Sequence, residues 1–235
     1  MHMEVGQIGD RPVPGAHEIA YNESMTKKFY TGIGSRETPD IVLGQMTHLA
    51  TVLDSRGWLL RSGGAPGADD AFERGAPVGR RRIYVPYLGF NGRKHTDCID
   101  PMKQLPSVYQ RAVEIARRHH PYWHGLSDPV KKLMARNVFQ VLGDDLETPS
   151  SFVWCWAPNP QTKEGKVVDV KGGTGLAVRV AAEFGVAVYH LGMANHVRAM
   201  RAYLDQITPQ EQTSTPEIQR NPVRLRLRFG ETKSG

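Results

Sequence analysis

From residue 28 to residue 207 the chain alternates short apolar runs with longer stretches whose apolar residues recur at helical spacing. Lys28-Phe29-Tyr30-Thr31-Gly32-Ile33-Gly34 reads as a first strand running into a glycine turn. Ser35-Arg36-Glu37-Thr38-Pro39 then leads into a helix, with Thr38 as N-cap and Pro39 at the first helical position. Val42, Met46, Leu49 and Leu53 carry its apolar face until Gly57 stops it. Trp58-Leu59-Leu60-Arg61 is a second strand, residues 69–76 a second helix, and Arg82-Ile83-Tyr84-Val85-Pro86 a third strand. Parallel strands need helical crossovers, so this βαβαβ order predicts an α/β fold. The expected architecture is a Rossmann-like, doubly wound, mainly parallel sheet with helices on both faces.

The pattern breaks over residues 87–106, where Gly89, Gly92 and Pro101 predict an irregular insert. Helical spacing returns in residues 108–118 and 129–142, the latter through Val130, Leu133, Met134, Val138 and Leu142. Phe152-Val153-Trp154-Cys155-Trp156 reads as a strand and residues 157–169 as a polar excursion. A helix follows through Ala177, Val180, Ala181 and Phe184, then a strand over residues 186–191 and a closing helix over 195–207. Residues 1–27 lack apolar periodicity and read as an arm, leaving 28–207 as the core domain. Residues 208–235 form a polar, basic, flexible tail, although Val223 to Phe229 alternate strictly enough for an added edge strand.

Composition narrows the class. Of 235 residues, 40% are hydrophobic and 23% charged, as in an ordinary globular protein. No run approaches the roughly 18 apolar residues of a membrane span, and the N-terminus lacks the order of a signal peptide, which predicts a cytoplasmic protein. Cys98 and Cys155 form no CxxC and imply neither disulfides nor zinc. His119, His120 and His124 have no accompanying acidic or cysteine ligand, so no metal is expected. No cofactor is implied either. The net charge of +6 favours an anionic partner. Basic residues gather at Arg80-Arg81-Arg82, at Arg117-Arg118 and in the tail at Arg220, Arg224, Arg226 and Arg228, although such runs also serve as plain solvated surface.

Two glycine-rich turns carry the candidate chemistry: Ser62-Gly63-Gly64-Ala65-Pro66-Gly67-Ala68-Asp69 and Lys171-Gly172-Gly173-Thr174-Gly175. Each leads into a helix, and a strand ending in glycines before a helix points unpaired N–H groups at the positive end of a helix dipole, which suits phosphate. In an open α/β sheet these turns and Gly34-Ser35-Arg36 all fall at strand ends and converge on one crevice. Ser62 offers a hydroxyl and Arg36 a guanidinium fork. Asp69 suits a ribose hydroxyl, a base edge or its own helix N-terminus. Arg136 and Asn137 lie on a helix otherwise spaced for core packing, where they face either the crevice or solvent. Tyr122, Trp123, Trp154 and Trp156 are candidates for base stacking, although Trp154 and Trp156 share a face of a core strand. Gly172-Gly173-Thr174-Gly175 lacks the lysine of a Walker loop.

In this order, Gly34-Ser35-Arg36, the Ser62 to Asp69 loop, Arg136-Asn137 and Gly172-Gly173-Thr174-Gly175 resemble the SLOG superfamily. That group includes the DNA-processing protein A (DprA/Smf), YspA-like proteins and the cytokinin-activating LOG phosphoribohydrolases. The resemblance covers residues 28–191 and is closest to the YspA and DprA side, whose Ser-Gly-x-Ala-x-Gly-x-Asp loop Ser62 to Asp69 resembles. It implies a homo-oligomer that binds a nucleotide or single-stranded DNA at Gly34, Ser35, Arg36, Ser62, Gly63, Gly64, Gly67, Asp69, Arg136, Asn137, Gly172, Gly173, Thr174 and Gly175. Compact relatives of this kind are often phage-encoded and labelled recombination mediators, which would place the protein in a host cytoplasm. The LOG enzymes cleave nucleoside monophosphates at the N-glycosidic bond with a glutamate in Pro-Gly-Gly-x-Gly-Thr-x-x-Glu. Arg179 stands at that position here, so hydrolysis would need Asp69 or Glu183 as the carboxylate. Binding without turnover, as in a nucleotide sensor, is the remaining alternative.

Overall fold

Fifteen regular elements build the molecule in the computed structural model, which describes residues 27–93 and 96–207. In chain order they are β1 (Phe29–Gly34), α1 (Asp40–Ser55), β2 (Leu59–Ser62), α2 (Ala68–Gly75), β3 (Arg81–Tyr84), β4 (Cys98–Ile99) and α3 (Pro101–Gln104). Then follow α4 (Pro106–Arg118), α5 (Asp128–Leu142), β5 (Phe152–Trp156), β6 (Gln161–Lys163), β7 (Lys166–Asp169), α6 (Gly173–Glu183), β8 (Ala187–His190) and α7 (Ala194–Ile207). The main sheet has the order β4-β3-β2-β1-β5-β8, and every neighbouring pair in it is parallel. The expected doubly wound α/β architecture is present. Strand order reverses at β1, where β2 to β4 build outward on one side and β5 and β8 on the other, so a crevice opens beyond the carboxyl ends of β1 and β5.

Both faces of the sheet are covered, which is why its strands are apolar almost throughout. Tyr30, Phe152 and Trp154 pack under α1, α2 and α7, whereas Ile33, Val153 and Cys155, pointing the opposite way, pack under α4, α5 and α6. A Cβ on Gly32 would lie 2.5 Å from the Phe72 ring, so the glycine lets α2 press directly on the sheet. Buried polar groups stitch the layers. The Thr31 hydroxyl lies within hydrogen-bond distance of the Gln140 carbonyl at 2.6 Å and the Ser150 hydroxyl at 2.8 Å. Arg61 donates to the Thr148 carbonyl at 2.7 Å and stacks 4.0 Å over the Phe29 ring. Burial pushes the Cys155 thiol up to about 12, so it is an inert core group, and Cys98 is likewise buried and free.

Three local expectations change. Pro39 occupies the N-cap position of α1 instead of its first turn, and the Thr38 hydroxyl donates to the Ser35 carbonyl at 2.7 Å instead of capping the helix. The insert at residues 87–106 contains a two-residue strand, β4, which pairs with β3 and extends the sheet. The polar excursion after β5 contains an antiparallel hairpin, β6–β7, turning at Glu164 and Gly165, both with positive φ. Its base is closed by the Lys171 N–H donating to the Pro158 carbonyl at 3.1 Å. Val167 and Val170 anchor it in the core. The N-terminal arm to residue 26, the tail from residue 208 and the strand expected at 223–229 lie outside the described residues. No helix among the described residues is long and apolar enough to cross a membrane.

Candidate functional site

A cavity of about 340 Å³ occupies the crevice at the strand reversal. Its walls are the β1–α1 turn with Gly34, Ser35, Arg36 and Glu37, the α2 entry with Ala65 and Asp69, the inner face of α5, and the loop Lys171-Gly172-Gly173-Thr174 before α6. Of the residues expected at a site, Gly34, Ser35, Arg36, Asp69, Arg136, Asn137, Gly172, Gly173 and Thr174 line it together. Ser62, Gly63, Gly64, Gly67 and Gly175 stand behind the wall.

Those five have structural work. The Ser62 hydroxyl donates to the Gly32 carbonyl at 2.7 Å, so it faces β1 and not the cavity. A Cβ at Gly63 would lie 1.4 Å from Nη1 of Arg136, so the glycine is what allows the guanidinium to lie against the loop. The Gly64 carbonyl accepts from Arg93 Nε at 2.8 Å and Asn91 Nδ2 at 3.0 Å. Gly67, at φ +88°, lets the loop pass against the backbone of Ser35 and Arg36. Gly175 sits where a Cβ would be 2.3 Å from the Val170 carbonyl.

Asp69 holds two loops in register. One carboxylate oxygen accepts the Gly34 N–H at 3.3 Å and the other the Ala65 N–H at 3.2 Å, while Arg136 Nη1 lies 3.8 Å away. Burial pushes this carboxyl above the usual range, opposed chiefly by the Arg136 charge. The same burial lowers Arg136, with Asp69 the main support for its charge. The pair is loose, and Nε of Arg136 has no acceptor among the described residues; nor has the Nε2 of Gln140, one turn further along α5. Both side chains are more than nine-tenths buried. Both unpaired atoms are closed off from solvent, with Nε2 of Gln140 turned toward Gly63, so what the cavity itself offers a guest is a floor carrying the buried Arg136 charge, which favours an anion.

At the far wall Asn137 Nδ2 donates to the Gly173 carbonyl at 3.1 Å and fixes the loop that opens α6. Gly172 has φ +84° and an open flank, since a Cβ there would meet nothing within 4 Å. The N-terminus of the eleven-residue α6 thus lies at the cavity, which Gly172, Gly173 and Thr174 line, with Lys171 and Arg36 exposed at the rim. Among the described residues neither cation enters an ion pair. By contrast, Arg80, Arg81 and Arg82 pair with Asp54, Asp97 and Asp144, and Arg117 with Glu114. Those basic runs are therefore largely neutralised surface.

Sequence reasoning missed Glu37, Leu133, Met134 and Gln140 as lining residues. Gln140 was legible: it lies four positions after Arg136 and so shares its helix face. Trp154 lies in the core, and Tyr122 is exposed away from the cavity. No group of acidic, histidine or cysteine side chains that could hold a metal occurs among the described residues.

Arg179 donates to Asp169 at 2.5 Å and to the His119 carbonyl at 3.0 Å, which makes it a brace between α6, β7 and the end of α4. Glu183 accepts from Arg118 and His119 on the surface and does not line the cavity.

No family model and no curated protein matches the chain. Among solved structures it is similar to DNA processing protein A from Helicobacter pylori, reported for its single-stranded DNA binding mode. The two are 14% identical over 77% of this chain and 80% of that one, with a TM-score of 0.40. A likeness at that level is one of chain path and says nothing of a ligand.

Proposed function

We propose that this protein binds the phosphate-bearing part of a nucleotide or of single-stranded DNA in the crevice at β1, and that it binds without cleaving. The observation that carries this reading is the cavity lining, which brings buried Arg136 together with the N-terminus of α6 and the exposed cations Arg36 and Lys171. A buried guanidinium with a counter-ion only at 3.8 Å is expensive unless a guest completes it. Phosphate suits that need, since its oxygens also match the open α6 N-terminus and the rim cations Arg36 and Lys171. In the finer reading, the fit to the SLOG pattern makes the guest single-stranded DNA held by a homo-oligomer for recombination.

Hydrolysis of an N-glycosidic bond is the second reading. Asp69 is the carboxylate closest to the donors, but both its oxygens already hold backbone N–H groups, and Glu183 is elsewhere. Glu37, exposed at the rim, is the other carboxylate that lines the cavity. Equilibrium titration of the full chain with adenosine monophosphate and with a short oligodeoxynucleotide, over a range of salt, tests binding. Chromatography of the mixtures tests turnover. Saturable binding that weakens steeply with salt, with no free base released, is the expected result. Absence of binding to both probes overturns the proposal, and release of adenine replaces it with the hydrolase reading.

A further inference from the structure

On the sheet face that α1 and α7 both cover, a groove of about 420 Å³ lies between the two helices. It shares no lining residue with the crevice at β1 and is independent of the nucleotide reading. Its floor is apolar, with Leu49 and Val52 from α1 and Val197, Met200 and Leu204 from α7. Its rims are mainly cationic. His48 and Arg56 stand on one side and Arg201 on the other, against one carboxylate among the described lining residues, Asp205. Arg198, one turn before Arg201, is exposed as well, and among the described residues neither of these two arginines enters an ion pair.

An apolar floor bordered by unpaired cations suits a guest that combines apolar side chains with negative charge. The chain itself supplies one close by. Lys28, just before β1, holds its ammonium 5.8 Å over the Trp58 ring. Trp58 and Met200 line one small pocket beneath α7, and Met200 also lines the groove. The segment before residue 27 therefore joins the domain beside the groove. Within it, Glu18-Ile19-Ala20-Tyr21-Asn22-Glu23-Ser24-Met25 carries two carboxylates and no lysine or arginine. Over residues 1–26, Glu4, Asp10, Glu18 and Glu23 stand against Arg11 alone. Residues 208–235 have the opposite balance: four arginines and Lys233 outnumber Glu211, Glu217 and Glu231, so that segment would meet like charge at Arg198 and Arg201.

We propose that residues 18–25 of the N-terminal arm lie in this groove as a strap, with Ile19 and Tyr21 on its floor and with Glu23 and Glu18 toward Arg201 and Arg198. Fully extended, these eight residues span about 25 Å, close to the length of the sixteen-residue α1 that forms one wall. The volume takes two large side chains, since about 150 Å³ holds a benzene ring. Such a strap ties α7, the last helix of the domain, to α1 and to the start of β1. Its carboxylates supply the counter-charges that the described residues do not give to Arg198 and Arg201.

A nitroxide attached at Ala202→Cys, an exposed position of α7, reads the occupant, because the native thiols Cys98 and Cys155 are buried. In the full chain labelled with nitrogen-15, it is expected to broaden the amide signals of residues 18–25 and to spare those of 223–229. Reversing the rim with Arg198→Glu and Arg201→Glu should lower the docked-to-free ratio of the arm about five- to tenfold, and adding Glu18→Arg and Glu23→Arg should restore it. Sharp signals from residues 18–25 overturn the proposal, as does broadening confined to 223–229, which makes the tail the occupant. A mixture of nitroxide-bearing chain without nitrogen-15 and nitrogen-15 chain without nitroxide should show no broadening; broadening there gives the groove to a second copy and overturns the strap within one chain. Should the nitroxide-bearing variant fail to fold, a glutamate-specific protease decides. Cutting after Glu18 and Glu23 should quicken about five- to tenfold when the rim is reversed, and an unchanged rate overturns the proposal.

Discussion

In the loop after β2, the Ser62 hydroxyl is bonded to Gly32, the Gly63 flank is filled by the Arg136 guanidinium, and the Gly64 carbonyl is clasped by Arg93 and Asn91. In the loop before α6, Gly172 has open space beside it and Gly173 has only the Met134 methyl, 3.9 Å from where a Cβ would be. The two loops have similar spellings, yet one is a buttress and the other a mouth. Glycine serves close packing in the first and exposed backbone in the second. A glycine-rich turn at a strand end therefore does not by itself identify a phosphate cradle; what matters is whether its flank is open or already packed.

The contrast can be broken most forcefully at Arg136, which leans on the first loop and lines the cavity. Arg136→Met keeps the bulk and removes the charge, so nucleotide affinity should drop about 10- to 100-fold, as for loss of a charged hydrogen bond. Stability in denaturant should fall, because the buried Asp69 carboxylate loses its chief counter-charge. Lower stability with unchanged affinity would make Arg136 a mere strut.

Glycine substitutions sharpen the difference. Gly63→Ala puts a Cβ into the guanidinium and should cost about 1–3 kcal/mol by overpacking, read from chemical denaturation. The same measurement on Gly172→Ala should also give about 1–3 kcal/mol, but from backbone strain alone, since φ +84° and ψ −162° form a region that only glycine enters readily. Combining each with Arg136→Met separates the two: the Gly63 cost should shrink and the Gly172 cost should not, and a Gly63 cost that stays unchanged would show that the guanidinium is not what fills its flank.

A pH series probes the clasp on the first loop and should give a smaller effect. Glu73, bonded to Arg93, is pushed up to about 7 by burial, against the pull of Arg93. Its folded form holds the proton more tightly than the unfolded chain does. Stability from this group is therefore greatest below the ordinary glutamate range and is lost as pH rises toward 7, by on the order of 1–2 kcal/mol. His190, lowered by burial, acts in the opposite sense and loses stability as pH falls below its ordinary value. The difference between unsubstituted protein and Glu73→Gln isolates the glutamate: the variant's stability curve should lack the decline between pH 5 and pH 7, roughly the span between the two values. If the two curves stay parallel, Glu73 does not titrate in that window.

Much of the architecture could be read from apolar spacing because both sheet faces are covered. Phe152–Trp156 is a strand with the predicted bounds, and α1, α5 and α7 start within a residue of the positions expected for them. What escaped were elements with little apolar signal. The residues of β4 sit among glycines and prolines that mask a two-residue pairing, and β6 is wholly exposed, so nothing alternates. The crevice was legible too, since its location follows from strand order. The division of labour inside it was not: Ser62 and Asp69 look like ligand groups in sequence, and only their hydrogen bonds to Gly32, Gly34 and Ala65 show whom they serve.

The β6–β7 hairpin leaves and rejoins the core at one spot, where Lys171 meets the Pro158 carbonyl. An excursion whose ends already touch can grow at its tip with little thermodynamic penalty, about 0.6 kcal/mol for each doubling of loop length. The turn at Glu164 and Gly165 is thus where this chain can best accept inserted sequence. A reporter or an affinity handle placed there would stand beside His196 at the start of α7 while the sheet behind it stayed as it is.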